Sequence, residues 1–205
     1  MGAARAAFYV DGFNLYHSLK SSSRSTACRW LDVRSLCQAF LSRREKLERV
    51  LYFTALTTWD RPKVERHTKL ITALEATGVE IVMGKFKQKQ RLCTACGQRY
   101  LSVEEKETDV NIAVRLIRDA VRDEFDTAFL MTGDSDLIPA LRIMRELFPG
   151  KDLVVVFPFN RVTEALKREA SRYMRVRLHH LEAHRFAKVV RTRDGRQIAC
   201  PDSWL

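Results

Sequence analysis

The stretch that most constrains this chain runs from Thr127 to Arg142 and reads TAFLMTGDSDLIPALR. Ala128, Phe129, Leu130 and Met131 form a short unbroken apolar run between the charged pair Asp123–Glu124 and Gly133, the pattern of a strand buried on both faces. Leu137, Ile138, Leu141 and Met144 then repeat at helical spacing. Pro139 lacks an N–H and belongs in that helix's first turn, which puts the expected N-cap near Asp136. Asp134 and Asp136 therefore project from a strand's carboxyl end, the edge of an open α/β sheet where ligands bind. Taken alone, Asp134, Ser135 and Asp136 would serve equally well to cap a helix and complement its dipole.

The rest of the chain repeats the strand-then-helix unit. Ala6–Val10 reads as a strand ending in Asp11 and Gly12, followed by a helix carrying Phe13, Leu15, Tyr16 and Leu19. Residues 21–26 read as a polar, Ser-rich loop and 31–41 as a helix with Val33, Leu36, Cys37 and Phe40 inward. Arg49–Leu56 is a second strand, Pro62 opens a helix reaching Ala76, Gly78 ends it, and Val79–Met83 is a third strand. A basic, polar segment at about 86–105, around Cys93 and Cys96, interrupts the alternation as an inserted hairpin or knuckle. From Asp109, a helix shows Val110, Ala113, Val114, Ile117 and Val121 on one face and Arg115, Arg118 and Arg122 on the other. Leu153–Phe157 is a fifth strand, 162–170 a helix, and 174–176 an edge strand. The predicted fold is a three-layer α/β/α sandwich around a mostly parallel sheet with right-handed crossovers. The C-terminal tail, 179–205, reads as a basic helix and a hairpin turning at Asp194–Gly195, with Trp204 as anchor.

Acids thus recur where β-α units meet one edge: Asp11, Asp109, Asp134 and Asp136. Carboxylates brought within a few ångström repel and raise one another's pKa unless a cation neutralises them. Mg²⁺ or Mn²⁺ meets that need, being held by one or two carboxylates, waters and substrate phosphates. Such a site can activate water and stabilise charge developing on a phosphodiester. Asn14, one turn past Asp11, can orient a phosphate or a water, and Thr132 and Ser135 offer hydroxyls beside the acids. Local capping by Asn14, and a dipole-complementing Asp109 after Thr108, are the plainer alternatives.

Composition narrows the partner. The 205-residue chain is 46% hydrophobic, enough for one good core, and carries a net charge of +11, which points to a polyanion such as RNA. No apolar run is long enough to span a bilayer, and the start is too short in apolar residues for a signal peptide, so a cytoplasmic protein is expected, without a membrane partner. The myristoylation pattern also fails, at Ala6. Five cysteines are an odd count against a full disulfide framework. Cys93 and Cys96 have the spacing of half a structural Zn²⁺ site; Cys28, Cys37, Cys200, a histidine or a second subunit would have to complete it, and a metal-free turn or redox pair remains open. Lys85, Lys87, Lys89 and Arg91 before the pair, with Arg99 and Tyr100 after it, suit single-stranded RNA, or simply a solvated hairpin. Arg142, Arg145, Arg161, Lys167 and Arg168 are further phosphate-contact candidates.

The strings FYVDGFNLY, KETDVNIAVRLI, FLMTGDSDLIPAL and VVVFPFN resemble, in order, the successive motifs of NYN domain proteins, relatives of the PIN nucleases. The resemblance covers about residues 8–173 and implies a PIN-like fold over 1–178 and an Mg²⁺- or Mn²⁺-dependent ribonuclease leaving 5′-phosphate and 3′-hydroxyl ends. It implies Asp11, Asp109, Asp134 and Asp136 as the acidic metal site, Asn14 as the family's asparagine, and Lys106 as the lysine preceding the middle acid. Glu107 departs from the pattern, standing where the family often has a small residue. The first expectation is therefore a metal-dependent (endo)ribonuclease, with a homo-oligomer as a possible assembly. A second is an RNA-binding module of the same fold without useful turnover. A phosphatase with an aspartyl nucleophile would want a second acid where Phe13 stands, and a topoisomerase-primase-type site an earlier Glu where Asp11 stands.

Overall fold

The computed structural model describes residues 2–20, 22–57 and 59–204. Strand β1 (Ala4–Asp11) is its axis, with each of its last six residues buried. Ala6, Phe8 and Val10 face one core, while Ala7 and Tyr9 face the other, as the two-residue period of a strand requires. β1 lies between β2 (Glu45–Thr54) and β6 (Thr127–Met131). With β3 (Glu80–Met83), β7 (Asp152–Phe157) and β8 (Arg172–Arg175) they make a six-stranded parallel sheet in the order β3-β2-β1-β6-β7-β8. The rings of Phe8 and Phe129, in register across β1 and β6, stack with centroids 4.3 Å apart. Connections run outward in opposite directions from the β1/β6 seam, so a crevice opens there at the strands' carboxyl ends.

Helices cover both faces. Helices α1 (Gly12–Ser18), α3 (Val33–Gln38) and α4 (Arg61–Ala76) bury Leu15, Leu36 and Leu74 on one side. Helices α5 (Thr108–Val121), α6 (Ile138–Leu147) and α7 (Glu164–Glu169) bury Ile112, Leu141 and Leu166 on the other. The C-terminal segment forms α8 (Leu178–Ala183) and a hairpin of β9 (Val189–Arg191) and β10 (Gln197–Ala199), turning at Gly195 with φ +85°. Leu181, Cys200 and Trp204 join the first core, and the Trp204 and Trp30 rings lie 6.5 Å apart. Among the described residues no helix is long and apolar enough to cross a membrane.

Four local readings need correction. Part of the expected 21–26 loop is a short helix, α2 (Ser23–Thr26), because Ser22 and Ser25 cap each other's backbone N–H groups; Ser21 lies outside the described residues. The 31–41 helix is only Val33–Gln38, since Asp32 caps it by accepting from Ser35 N at 3.0 Å. The cap expected at Asp136 belongs to Asp134, which accepts from Asp136 N at 3.0 Å and starts a 3-10 turn, Ser135–Leu137, ahead of α6. On α5, Ala113 and Ile117 pack against the second core as expected, but Val110, Val114 and Val121 are exposed, whereas Ile112, Leu116 and Ala120 are buried. The helix is turned by Asp119, which is fully buried and accepts from Tyr9 at 2.9 Å and from Arg115 and Arg118. Those arginines, read as an outer face, fold back onto that acid.

The insertion is an antiparallel hairpin of β4 (Lys85–Leu92) and β5 (Arg99–Lys106), outside the main sheet. Its tip closes with Cys93 N donating to Gln98 O and Gly97 N to Cys93 O, both at 2.8 Å. Its base is pressed onto α5: a Cβ at Gly84 would lie 2.8 Å from Thr108 Oγ1 and 2.9 Å from Lys106 O.

Candidate active site

The β1/β6 seam delivers Asp11 and Asp134 to one end of the sheet, and α5 brings Asp109 in its first turn. Asp11 is 2% exposed and tightly held. Its Oδ1 accepts from Asn14 N at 2.9 Å, and its Oδ2 accepts from Asn14 Nδ2 and from Thr132 Oγ1, each at 2.9 Å. Asn14 Oδ1 in turn accepts from Gly133 N at 3.3 Å, and Thr132 Oγ1 from Asp134 N at 3.0 Å. Asn14 and Thr132 thus stitch α1 to the loop after β6 and fix the relative position of two acids.

Together Asp11, Asp109 and Asp134 line a cleft of about 170 Å³ with Phe13, Asn14, His17, Glu105 and Arg161. Asp136 stands apart, exposed on the 3-10 turn, with its charge still felt at Asp109. Ser135 is exposed beside it. Glu105 is the residue the sequence reading missed. It alternates on β5 with Glu104, and only the hairpin's docking decides which of the two turns into the cleft. Its Oε1 is buried without a hydrogen-bond partner.

Burial, then the charges of neighbouring acids, push Asp109 up to about 6 and Glu105 up to about 7. Burial also raises Asp11, against the pull of its three hydrogen bonds, with Asp134 adding repulsion. Arg161 is the cleft's one arginine, and among the described residues no acid lies within ion-pairing distance of it. Burial and the charges of Lys20 and Arg161 hold the His17 imidazole below its ordinary value.

These donors fit a hard divalent cation: all are oxygens, their repulsion is uncompensated, and one carboxylate oxygen is buried with nothing to bond. Among the described residues no group of three acidic, His or Cys side chains is drawn tight enough to count as a ready-made metal set. Mg²⁺, which keeps waters and needs only one or two carboxylates, does not require one.

The hairpin's cations are mostly engaged. Lys85 pairs with Glu107, Arg91 with Glu104, and Lys106 with Glu104 at 3.0 Å, while Lys87 is exposed. Glu107, in a left-handed conformation with φ +78°, is thereby drawn to Lys85 and does not line the cleft. At the tip, Cys93 and Cys96 are free thiols, and hydrogen bonds from Cys96 and Ala95 lower Cys93. Cys28, Cys37 and Cys200 are buried in the core, and no other ligand among the described residues joins the pair. Elsewhere on the surface, Arg142 and Arg145 are taken up by Glu169 at 2.8 and 3.2 Å.

This parallel α/β sandwich belongs to the PIN-like nuclease superfamily, as its match to a family model shows. More narrowly, the NYN domain model matches residues 5–177, and the chain belongs to that family. It is similar, at 22% identity over 98% of its length and 75% of the relative's, to 6-hydroxy-3-succinoylpyridine 3-monooxygenase HspA of Pseudomonas putida (strain DSM 28022 / S16). It shares its fold with a crystal structure of a protein of unknown function, VPA0982, from Vibrio parahaemolyticus RIMD 2210633, at TM-score 0.60 and 18% identity over 85% of this chain and 94% of that one.

Proposed function

We propose that the protein is a divalent-metal-dependent ribonuclease that hydrolyses phosphodiester bonds of RNA in the cleft at the β1/β6 seam. The observation that carries this is the charge left uncompensated there: Asp109 and Glu105 are driven up to about 6 and about 7 by burial and by other acids, with one arginine in the cleft. Crowded carboxylates with raised pKa values in a cleft mark functional sites, and a divalent cation would relieve their repulsion.

Asp11, Asp109 and Asp134 would hold the ion, with Asp136 at the open rim. A bound Mg²⁺ or Mn²⁺ supplies a water of lowered pKa and neutralises charge on the phosphoryl oxygens. Asn14 and Thr132 lock Asp11 in one orientation, so the cation's position is set before substrate arrives. Arg161 grips the scissile phosphate. Glu105, which lines the cleft and has a buried carboxylate oxygen without a hydrogen-bond partner, accepts the attacking water's proton.

The test is cleavage of end-labelled RNA in Mg²⁺ or Mn²⁺ by wild type and Asp134→Asn. The variant is expected to lose at least about a hundredfold in rate, as when one group stabilising transition-state charge is removed, while still binding RNA. Undiminished cleavage by Asp134→Asn would overturn the assignment.

A second reading is a binding module without turnover, favoured by the absence of a ready-made three-ligand group among the described residues. It predicts RNA binding indifferent to EDTA and no products with either metal. The activity that names the HspA relative, oxygenation of a substituted pyridine, is a third; consumption of 6-hydroxy-3-succinoylpyridine by the purified protein supplied with O₂ and a two-electron reductant would be its mark.

A further inference from the structure

Beside the acid cleft lies a second cavity, of about 230 Å³, that no part of the proposed chemistry uses. Phe13 and His17 line both. The hairpin bridges them as well: Phe86, which lines the second cavity, is the cross-strand neighbour of Glu105, which lines the first. Adjacent cross-strand residues share a face, so one hairpin face presents an aromatic ring to one space and a carboxylate to the next.

Rings make up much of the cavity's wall. Phe86 meets Phe13 at 5.5 Å, Phe13 meets His17 at 5.8 Å, and Tyr16 meets His17 at 5.7 Å, while Trp59, outside the lining, meets Phe86 edge-on at 5.2 Å. Trp59 is 43% exposed, unusual for its size and consistent with a surface awaiting a partner. Its mouth is cationic: Lys20, Lys63 and Arg66 line it, and among the described residues no acid does. Lys63 is shared with Asp60 at 2.8 Å, whereas the Lys20 ammonium lies over the Tyr16 ring at 4.6 Å. The volume is below the roughly 300–1,000 Å³ that encloses a whole drug-sized ligand, so the space admits a single ring system.

Aromatic walls with a basic mouth are complementary to a nucleotide: a flat π-face and a phosphate. We propose that this cavity is a base-binding subsite, in which one unpaired nucleobase of an RNA strand stacks among Tyr16, Phe13 and Phe86 while Lys20 and Arg66 hold its flanking phosphate, setting the register of the strand in the acid cleft. The proposal rests on the reading that the strand's scissile phosphate occupies that cleft. It confines substrates to single-stranded RNA at this position, because a paired base cannot leave its stack to enter.

The test uses fluorescein-labelled single-stranded RNA in EDTA, intact or carrying one abasic nucleotide moved along the strand, with affinity read by anisotropy. Wild type is expected to lose about tenfold when the abasic nucleotide sits at one particular position, the order of one stacking contact. Tyr16→Leu and Phe86→Leu, shown folded by circular dichroism, are expected to bind intact RNA about as weakly and to show no further loss with the abasic strand. Phe86→Trp should restore the discrimination. Indifference of wild type to the abasic nucleotide at every position, or full discrimination kept by both Leu variants, would overturn the proposal. Parallel incubation in Mn²⁺ separates the two readings: discrimination without cleavage supports the subsite and removes the nuclease, and cleavage without discrimination removes the subsite alone.

Discussion

Asp109 and Asp119 sit on one helix and meet opposite electrostatic fates. Asp119 is fully buried yet compensated, with Tyr9, Arg115, Arg118 and, at 3.4 Å, Arg49 around it. Asp109 faces Asp11, Asp134 and Glu105 instead and is pushed up to about 6, with Glu105 at about 7. The folded protein therefore keeps protons on these two groups that the unfolded chain has released from roughly pH 4 upward. With more protons bound in the folded state, stability falls as pH rises across that window and levels off above roughly pH 7. Thermal melts in EDTA should show this fall, and Glu105→Gln, which removes one acid from the cluster, should flatten it. Mg²⁺ or Mn²⁺ should raise the melting temperature of wild type near pH 7.5 and do so much less near pH 5, where the acids are protonated. Metal-independent melting at both pH values would count against cation binding directly, without recourse to activity. Asp11, Asp109 and Asp134 were legible in the sequence because each stands at a strand end or helix start. Glu105 was not, because in a basic hairpin Glu104 and Glu105 look alike until the strand's facing is known.

At the scale of the element, α5 shows how a helix can be found correctly and yet have the buried edge of its apolar face misplaced. Its apolar residues span one wide arc: Ala113 and Ile117 lie in the middle and pack on the second core, Ile112, Leu116 and Ala120 form one edge, Val110, Val114 and Val121 the other, and spacing does not say which edge is buried. The choice falls to Asp119: only one rotation brings its carboxylate to Tyr9 and the arginines, and a buried acid without partners would cost several kcal/mol. Ile112→Ala is accordingly expected to lose about 2–5 kcal/mol of unfolding free energy and Val114→Ala to stay within about 0.5 kcal/mol, as read from urea titrations. Equal losses would mean that the helix is turned otherwise. The strands were easier. β1 and β6 are short apolar runs buried on both faces, a pattern with no competing orientation, and their ends carried the site with them. Caps were the harder detail: Asp134 and Asp136 are two residues apart, and the side chain that accepts the backbone N–H is decided by the 3-10 turn between them.

Across the whole molecule, the charge of +11 has to be divided between cations the fold already uses and those it leaves for a partner. Arg142 and Arg145 serve Glu169, and Arg115, Arg118 and Arg49 serve Asp119. Arg161 beside the acid cleft, Lys20 and Arg66 around the aromatic cavity, and the exposed Lys87 on the hairpin form the other group, drawn from four separate elements or loops. Sequence could give the total but not this division, since pairing is settled by tertiary contacts. If about four such cations contact phosphates, the logarithm of RNA affinity should fall against the logarithm of salt with a slope near −2.8, or roughly fiftyfold for a fourfold rise in salt. Arg66→Gln should reduce the slope by about 0.7, because one counterion-releasing contact is lost. Arg142→Gln should leave it unchanged, because that guanidinium is already neutralised by Glu169. Anisotropy titrations at several salt concentrations, in EDTA to prevent cleavage, read all three slopes. A wild-type slope near zero, or the reverse order of the two variants, would show that RNA follows a different path over the surface from the one joining the cavity to the cleft.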